Sequence, residues 1–405
     1  MRNKLIWILS LGHMVTDINQ GALPALLPFF IAACDLSYTA AATIVLAANL
    51  ASSIIQPLFG YAADRFSKPW LLWAGLLLAG IGLGMTGLFE NYPLILGLAI
   101  VSGIGIAAYH PEAAKQVNAH SGSRKNTAMS IFGVGGTIGF AIGPFLVTSA
   151  MIFWGLKGTL ILIVPVSIMA LYMISQVSKL ERVEGKSDCQ DSGATGQVGT
   201  ENWPAFTQLT LVVIGRSIVF YGLNTFISLY WIDHLHQSKI MGSTALTIFA
   251  VSGVLGNLMG GTLADRFGSK KILLFGFAGL AVLLPLFCMV DHAMLSLCLV
   301  FPIGIILYAS YSPSIVLGQS YLPNRVGLSS GVTLGVAISI GGAATPIIGK
   351  IADAYGVWAG IMSLACLPPI LFAIAMGLPE PQPGDDTINR VTSADSGSVL
   401  NSDGQ

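Results

Sequence analysis

Charge is scarce in this chain. Only 9% of its 405 residues are charged, against about a quarter in ordinary soluble domains. Lys plus Arg total 19 and Asp plus Glu total 19. That balance excludes a nucleic-acid partner, which needs a cationic surface, and the 54% hydrophobic content excludes a disordered chain. Cysteines are few and scattered (Cys34, Cys189, Cys288, Cys298, Cys366), with no C-x-x-C pair. Neither a disulfide framework nor a metal site can be read from them. The loop G-x-x-x-x-G-K-[ST] is absent, so ATP-driven work by this chain has no basis. No soluble segment is long enough to house catalysis. An enzyme is not expected, nor is a cofactor or a metal.

What the chain has is long apolar runs and 47 glycines, with a mean hydropathy of +0.76. At about 20 apolar residues per span plus short connections, the length accommodates about twelve spans. The runs fall near 5–30, 38–62, 69–89, 93–117, 127–151, 154–178, 206–232, 243–263, 270–290, 294–316, 327–350 and 356–378. They are continuously apolar, which excludes the alternating pattern of a membrane barrel. The N-terminal run is too long for a signal-peptide core and contains His13 and Asp17, so it reads as a retained first span. With the N-terminus inside, fifteen Lys and Arg collect on the cytoplasmic side, among them Arg65, Lys115 and Arg325. Only Lys157, Lys239 and Lys350 fall outside. This positive-inside bias predicts cytoplasmic termini.

Polar residues at 179–204 divide six spans from six, and the tail 380–405 has no helical period. The organisation expected is therefore a first six-helix bundle (1–178), a cytoplasmic linker (179–204), a second bundle (205–379) and a disordered cytoplasmic tail (380–405). The two bundles repeat. Gly60, Ala63, Asp64, Arg65 and Phe66 recur 201 positions on as Gly261, Ala264, Asp265, Arg266 and Phe267. A shift of 202 aligns Gly133, Gly139 and Pro144 with Gly335, Gly341 and Pro346, and Pro111 with Pro313. Six-span halves repeated in one orientation imply an all-α membrane protein with two bundles around a central cavity.

The pattern Gly60…Asp64-Arg65…Lys68, echoed at Gly261…Asp265-Arg266, resembles the cytoplasmic loop motif of the major facilitator superfamily. More narrowly, His13 and Asp17 in the first span, Tyr109-His110-Pro111-Glu112 and Gly318-Gln319 are similar to the fosmidomycin-resistance branch. The resemblance implies a twelve-helix transporter and proton-driven efflux, with the proton gradient as its energy source. Asp64 ends its helix, where the macrodipole disfavours an anion, so it wants a cation or another helix's N-terminus. The resemblance points to the start of the eleventh span, near Ser329 and Ser330, making a cytoplasmic clasp between the halves. Gly139-x-x-x-Gly143-Pro144 resembles an exporter motif, lacking its final glycine (Val147 here), and small residues at this spacing also serve plain helix packing.

Ionisable groups inside the bilayer point most strongly to function, because each is costly unless paired or wetted. Asp17 lies about 18 Å along the first span, near the midplane. His13 and Gln20 share its face. Desolvation makes protonation of such a carboxylate a usable event, and His13 can share that proton. His110 and Glu112 sit in the fourth span. Glu112 is either a second protonatable site or half of a pair with Lys115. Arg216, in the seventh span, has no acid within a turn. It either neutralises Asp17 or Glu112 across the halves or binds an anionic group of the substrate. Tyr221, Asn224, Tyr308, Tyr311 and Gln319 are candidates to line the same cavity. His234 and His236 offer too few ligands for a metal.

The expectation is a monomeric secondary transporter of the bacterial cytoplasmic membrane, exchanging protons for a small amphipathic or anionic compound, an antibiotic among the candidates. The direction of coupling rests on the resemblance. The same buried acids would serve proton-coupled import of a sugar, organic acid or sugar phosphate.

Overall fold

A computed structural model describes residues 2–36, 38–66, 69–176 and 200–380. Lys68, linker residues 179–199 and tail residues 381–405 lie outside the described residues. The described residues form twelve helical spans and no strand. The first half holds α1 (Arg2–Cys34), α2 (38–66), α3 (Trp70–Leu88), α4 (Tyr92–His120), α5 (Lys125–Trp154) and α6 (155–176). The second holds α7 (Trp203–His234), α8 (Lys239–Phe267), α9 (Ser269–Cys288), α10 (Ala293–Tyr321), α11 (Val326–Tyr355) and α12 (Val357–Met376). The helical stretch Lys125–Gln176 is 52 residues long, more than twice what a bilayer core of about 30 Å takes. It folds back at Gly155, whose φ of 58° suits glycine.

The repeat seen in the sequence extends to helix ends. The Asn91 side chain caps α4 by accepting from Leu94 N–H, and His292, 201 positions on, caps α10 by accepting from Leu295 N–H. Gly356 turns α11 into α12 with φ 88°, as Gly155 turns α5 into α6. Several interruptions among the described residues depart from plain helix. α2 bends at Ile55, just before Gln56-Pro57. α10 turns at Ser310, where Pro313 has no N–H to bond Ala309. Short π segments lie at Tyr230–His234 and Val332–Val336.

The surface is apolar where a lipid-facing bundle should be. Phe145, Phe275 and Val282 are 67–77% exposed. The second half is packed around one continuous apolar core. The first half has two, and α1 passes from one to the other between Val15 and Ile18, where Thr16 and Asp17 lie. One of these cores also takes in Ile315, Val316 and Leu334 of the second half. The halves meet mainly along α2 against α11 and α5 against α8, strongest at the end that carries the two repeated loop motifs, here called the motif end.

Candidate functional site

Three buried side chains converge between α1 and α4. His13 and Asp17 stand one turn apart on α1, and His110 reaches them from α4. The Nε2 atoms of His13 and His110 are 3.0 Å apart. His13 Nε2 is 3.3 Å from Asp17 Oδ2, and His110 Nε2 is 3.2 Å from Asp17 Oδ1. The far side of each ring decides its tautomer. His13 Nδ1 lies 2.7 Å from the Phe132 carbonyl and His110 Nδ1 lies 2.9 Å from that of Ile106. A carbonyl only accepts, so both Nδ1 atoms carry hydrogen. Two Nε2 atoms and a carboxylate therefore face one another, and at least one proton or other cation must lie among them to offset the repulsion.

The pocket for this cluster is made by glycine. A Cβ on Gly136 of α5 would stand 2.5 Å from His13 Nε2 and 2.7 Å from Asp17 Oδ2. The Phe132 ring stacks on His13 at 4.1 Å. Next to His110, Tyr109 is fully buried and donates to the Leu9 carbonyl at 2.7 Å. Along the same seam Gly135, Gly139 and Gly143 meet the carbonyls of Ser10, Met14 and Ile18. Two rows at spacing four thus interlock, as the close approach of glycine-bearing helices allows. Gly139 and Gly143 serve this packing, and α5 continues as helix through Pro144.

Arg216 lies in the other half, on α7, and is 4% exposed. Its Nη2 donates to the Leu307 carbonyl at 2.9 Å and its Nε to Ser310 Oγ at 2.8 Å. Its guanidinium sits 5.3 Å from the centre of the Tyr311 ring. Among the described residues no carboxylate pairs with it. The expected ion pair with Asp17 or Glu112 is therefore not formed; α10 supplies neutral acceptors instead. Tyr221 and Tyr311 lie within electrostatic range of both Asp17 and Arg216. Tyr311 also packs against Gly133 of α5, so it reaches across the halves. Tyr308 lies on Gly253, and Gln20 and Asn224 are half-buried.

Glu112, Lys115 and Gln319 each have partners close by. Glu112 is fully buried and accepts from Gln116 Nε2 at 2.9 Å, whereas Lys115 donates to the Ala63 carbonyl at 2.6 Å, near the end of α2. The Ala63 carbonyl is one of the acceptors that a helix end leaves without an intrahelical partner. Gln319, a candidate lining residue, is held by two side chains. It accepts from Asn118 at 2.5 Å and donates to Ser330 at 2.9 Å, and Asn118 and Gln319 are themselves 201 positions apart.

Those bonds belong to the motif end. Asp64 Oδ1 accepts from Gly327 N–H at 2.7 Å and Oδ2 from Leu328 N–H at 2.9 Å. The acceptor site is the first turn of α11, two residues before the expected Ser329-Ser330. Asp265 repeats it on the first turn of α5, taking bonds from the backbone N–H groups of Asn126 and Thr127 at 2.9 Å and from their side chains. Gly60 and Gly327 touch backbone to backbone, and Gly261 fits against Asn126 and Ser130. Arg65 stacks on Tyr61 and Arg266 on Phe267. Asn118, Phe132, Asn126 and Ser310 were not singled out from sequence, and only the 201-residue offset of Asn118 from Gln319 hints at any of them; Gly136 stood out only as one of the glycines of the fifth span.

Twelve helices in two like halves, with polar groups buried between them, define a secondary-transporter fold. The family model for the Major Facilitator Superfamily matches residues 9–346, and the chain belongs to that superfamily. It is a membrane transporter and not an enzyme. The chain is 28% identical over 397 residues to the MFS-type transporter YfnC of Bacillus subtilis (strain 168), with 93% of each chain covered. It is 26% identical over 382 residues to the fosmidomycin resistance protein of Escherichia coli (strain K12), again with 93% of each covered. Among solved structures it resembles FucP in the outward conformation, with a TM-score of 0.72 at 16% identity, covering 93% of this chain and 98% of that one. The proton:xylose symporter XylE is similar with a TM-score of 0.70 at 13% identity, covering 94% of this chain and 96% of that one.

Proposed function

We propose that the chain is a proton-coupled antiporter that exports a small anionic or amphipathic compound across the bacterial cytoplasmic membrane. The observation that carries this reading is the His13–Asp17–His110 cluster, which needs a cation to offset its converging acceptors, together with a buried Arg216 in the other half that has no carboxylate partner among the described residues. The positive-inside bias puts the motif end in the cytoplasm. With both Asp clasps closed there, the conformation faces outward. In this state the cluster holds the incoming proton, while Arg216, Tyr221 and Tyr311 supply the substrate's contacts, with Gln20 and Asn224 beside them. Opening of the clasps turns the site inward, where the proton leaves and an anionic cargo loads on Arg216. Buried Glu112 is a further proton-carrying candidate, between the cluster and the motif end. Relatedness to the fosmidomycin resistance protein supports export of a toxic compound. The chain works as a monomer, with the proton gradient as its only energy source.

Proteoliposomes with imposed proton gradients test this, after a panel of toxic compounds on cells with and without the chain has identified a cargo. The expected result is cargo movement against proton flow, abolished in Asp17→Asn although that variant purifies folded. Cargo moving with protons instead would assign import by symport. Unchanged coupling in Asp17→Asn would remove the cluster from the proton path.

A further inference from the structure

We infer that His13, His110 and Asp17 form a binding site for a divalent transition-metal ion of the zinc or cobalt class. No metal was expected from sequence; His13 and Asp17 share a helix face at i, i+4, but nothing in the chain joins His110 to them. The inference uses the same cluster as the proposed proton path but does not depend on transport being proton-coupled. The three residues each present a ligand atom within 4.8 Å of the others. The Nε2 atoms lie 3.0 Å apart, and each is 3.2–3.3 Å from one of the two Asp17 oxygens, His13 from Oδ2 and His110 from Oδ1. These spacings are close to the about 3.3 Å between neighbouring ligand atoms of a tetrahedral zinc site with bonds of about 2.0–2.1 Å, and a small rotation of the carboxylate brings one oxygen to both rings.

The outer contacts are those that metal-binding histidines use. Each Nδ1–H is tied to a backbone carbonyl, which turns the Nε2 lone pair inward and fixes the ring. Phe132 against one ring face and Gly136 against the ring edge leave His13 little room to turn away. One proton can bridge only one of the three contacts at a time. Asp17 Oδ1 is buried and accepts no hydrogen bond. A metal ion satisfies all three ligands together. Two imidazoles and one carboxylate select zinc, cobalt, nickel or copper over magnesium and calcium, which demand oxygen ligands. The Asp17 side chain keeps 12% exposure, so the ligand set is not sealed. A bound dication takes the place of the proton and ties α1 to α4.

The test uses full-length purified protein carrying no polyhistidine tag, titrated with Co2+ alone. The expected result is one equivalent bound, with the intense visible absorption of tetrahedral Co2+, removed by Zn2+ and untouched by excess Mg2+. His13→Gln and His110→Gln are each expected to weaken binding at least tenfold and lose the tetrahedral band. A double His234→Gln/His236→Gln variant is expected to keep it. Absence of a saturable Co2+ spectrum in the unmodified protein overturns the site, whatever the variants do. So does a spectrum that survives in His13→Gln or disappears in the His234/His236 variant. Failure here leaves the proposed antiport standing, and loss of proton coupling in the liposome experiment leaves the metal site standing.

Discussion

At Gly136 a single hydrogen atom decides whether the buried cluster can exist. A methyl group there would sit within 2.7 Å of both His13 and Asp17, well inside van der Waals contact, so one of them must move. Gly136→Ala is expected to cut proton-coupled flux at least tenfold while the protein still purifies folded, with flux and thermal unfolding measured on the same preparation. Arg216 poses the complementary question. Its charge is met by a carbonyl, a hydroxyl and an aromatic ring rather than by an acid. That leaves a buried cation with electrostatic attraction to spare for a ligand. Arg216→Ala is expected to impair transport of anionic cargo at least tenfold and of neutral cargo much less. Equal losses for both in a transport assay would mean that the guanidinium serves only to hold α7 against α10.

The α1–α5 seam is the element on which the site depends. His13 and Asp17 are on α1, and their companions Phe132 and Gly136 are on α5. The interlock of Gly135, Gly139 and Gly143 with the carbonyls of Ser10, Met14 and Ile18 therefore sets the relative height of the two. A Cβ on Gly139 would lie 2.0 Å from the Met14 carbonyl oxygen. Gly139→Leu is expected to destabilise the fold by about 1–3 kcal/mol through overpacking, read as a lowered thermal midpoint. It should also lower flux, because the seam carries the cluster with it. α4 adds a different control. Pro111 removes one backbone bond without breaking the helix. His110 is held by the Ile106 carbonyl a turn earlier, so its ring does not depend on α1 for its orientation.

For the whole molecule, the motif end is a pair of like latches related by the repeat. Each carboxylate closes on the first turn of a helix in the other half, where free N–H groups and the helix dipole favour an anion. Loss of one charge-assisted latch is worth about 2 kcal/mol, roughly a thirtyfold shift in a two-state equilibrium. Asp64→Ala is expected to raise accessibility of cysteines placed at the cavity from the cytoplasmic side. Asp64→Ala/Asp265→Ala should raise it further. Unchanged cysteine labelling from both sides would show that Asn118, Gln319 and the apolar contacts hold the end closed without the carboxylates.

Much of this architecture was legible in the chain. Hydropathy counts spans because a bilayer leaves backbone polar groups no partner outside a helix. The doubled Gly-x-x-x-Asp-Arg motif exposed the two halves, and the placement of Asp64 at a helix C-terminus implied that it must find another helix's start. Asp17, Glu112 and Arg216 stood out for the same reason, since charge in an apolar run is costly. What the residues could not say is whom each buried group meets. Arg216 went to the Leu307 carbonyl and Ser310, Lys115 to the Ala63 carbonyl, and Gln319 to Asn118. Those choices depend on helix rotation and height, which are set by packing. Sequence alone determined that there would be twelve helices in two repeated halves with a few sheltered charges, because burial and hydrogen bonding act locally along the chain. Only the tertiary structure decided that His13, Asp17 and His110 share one point in space, because glycine contacts between α1 and α5 and the approach of α4 are long-range and leave no periodic trace.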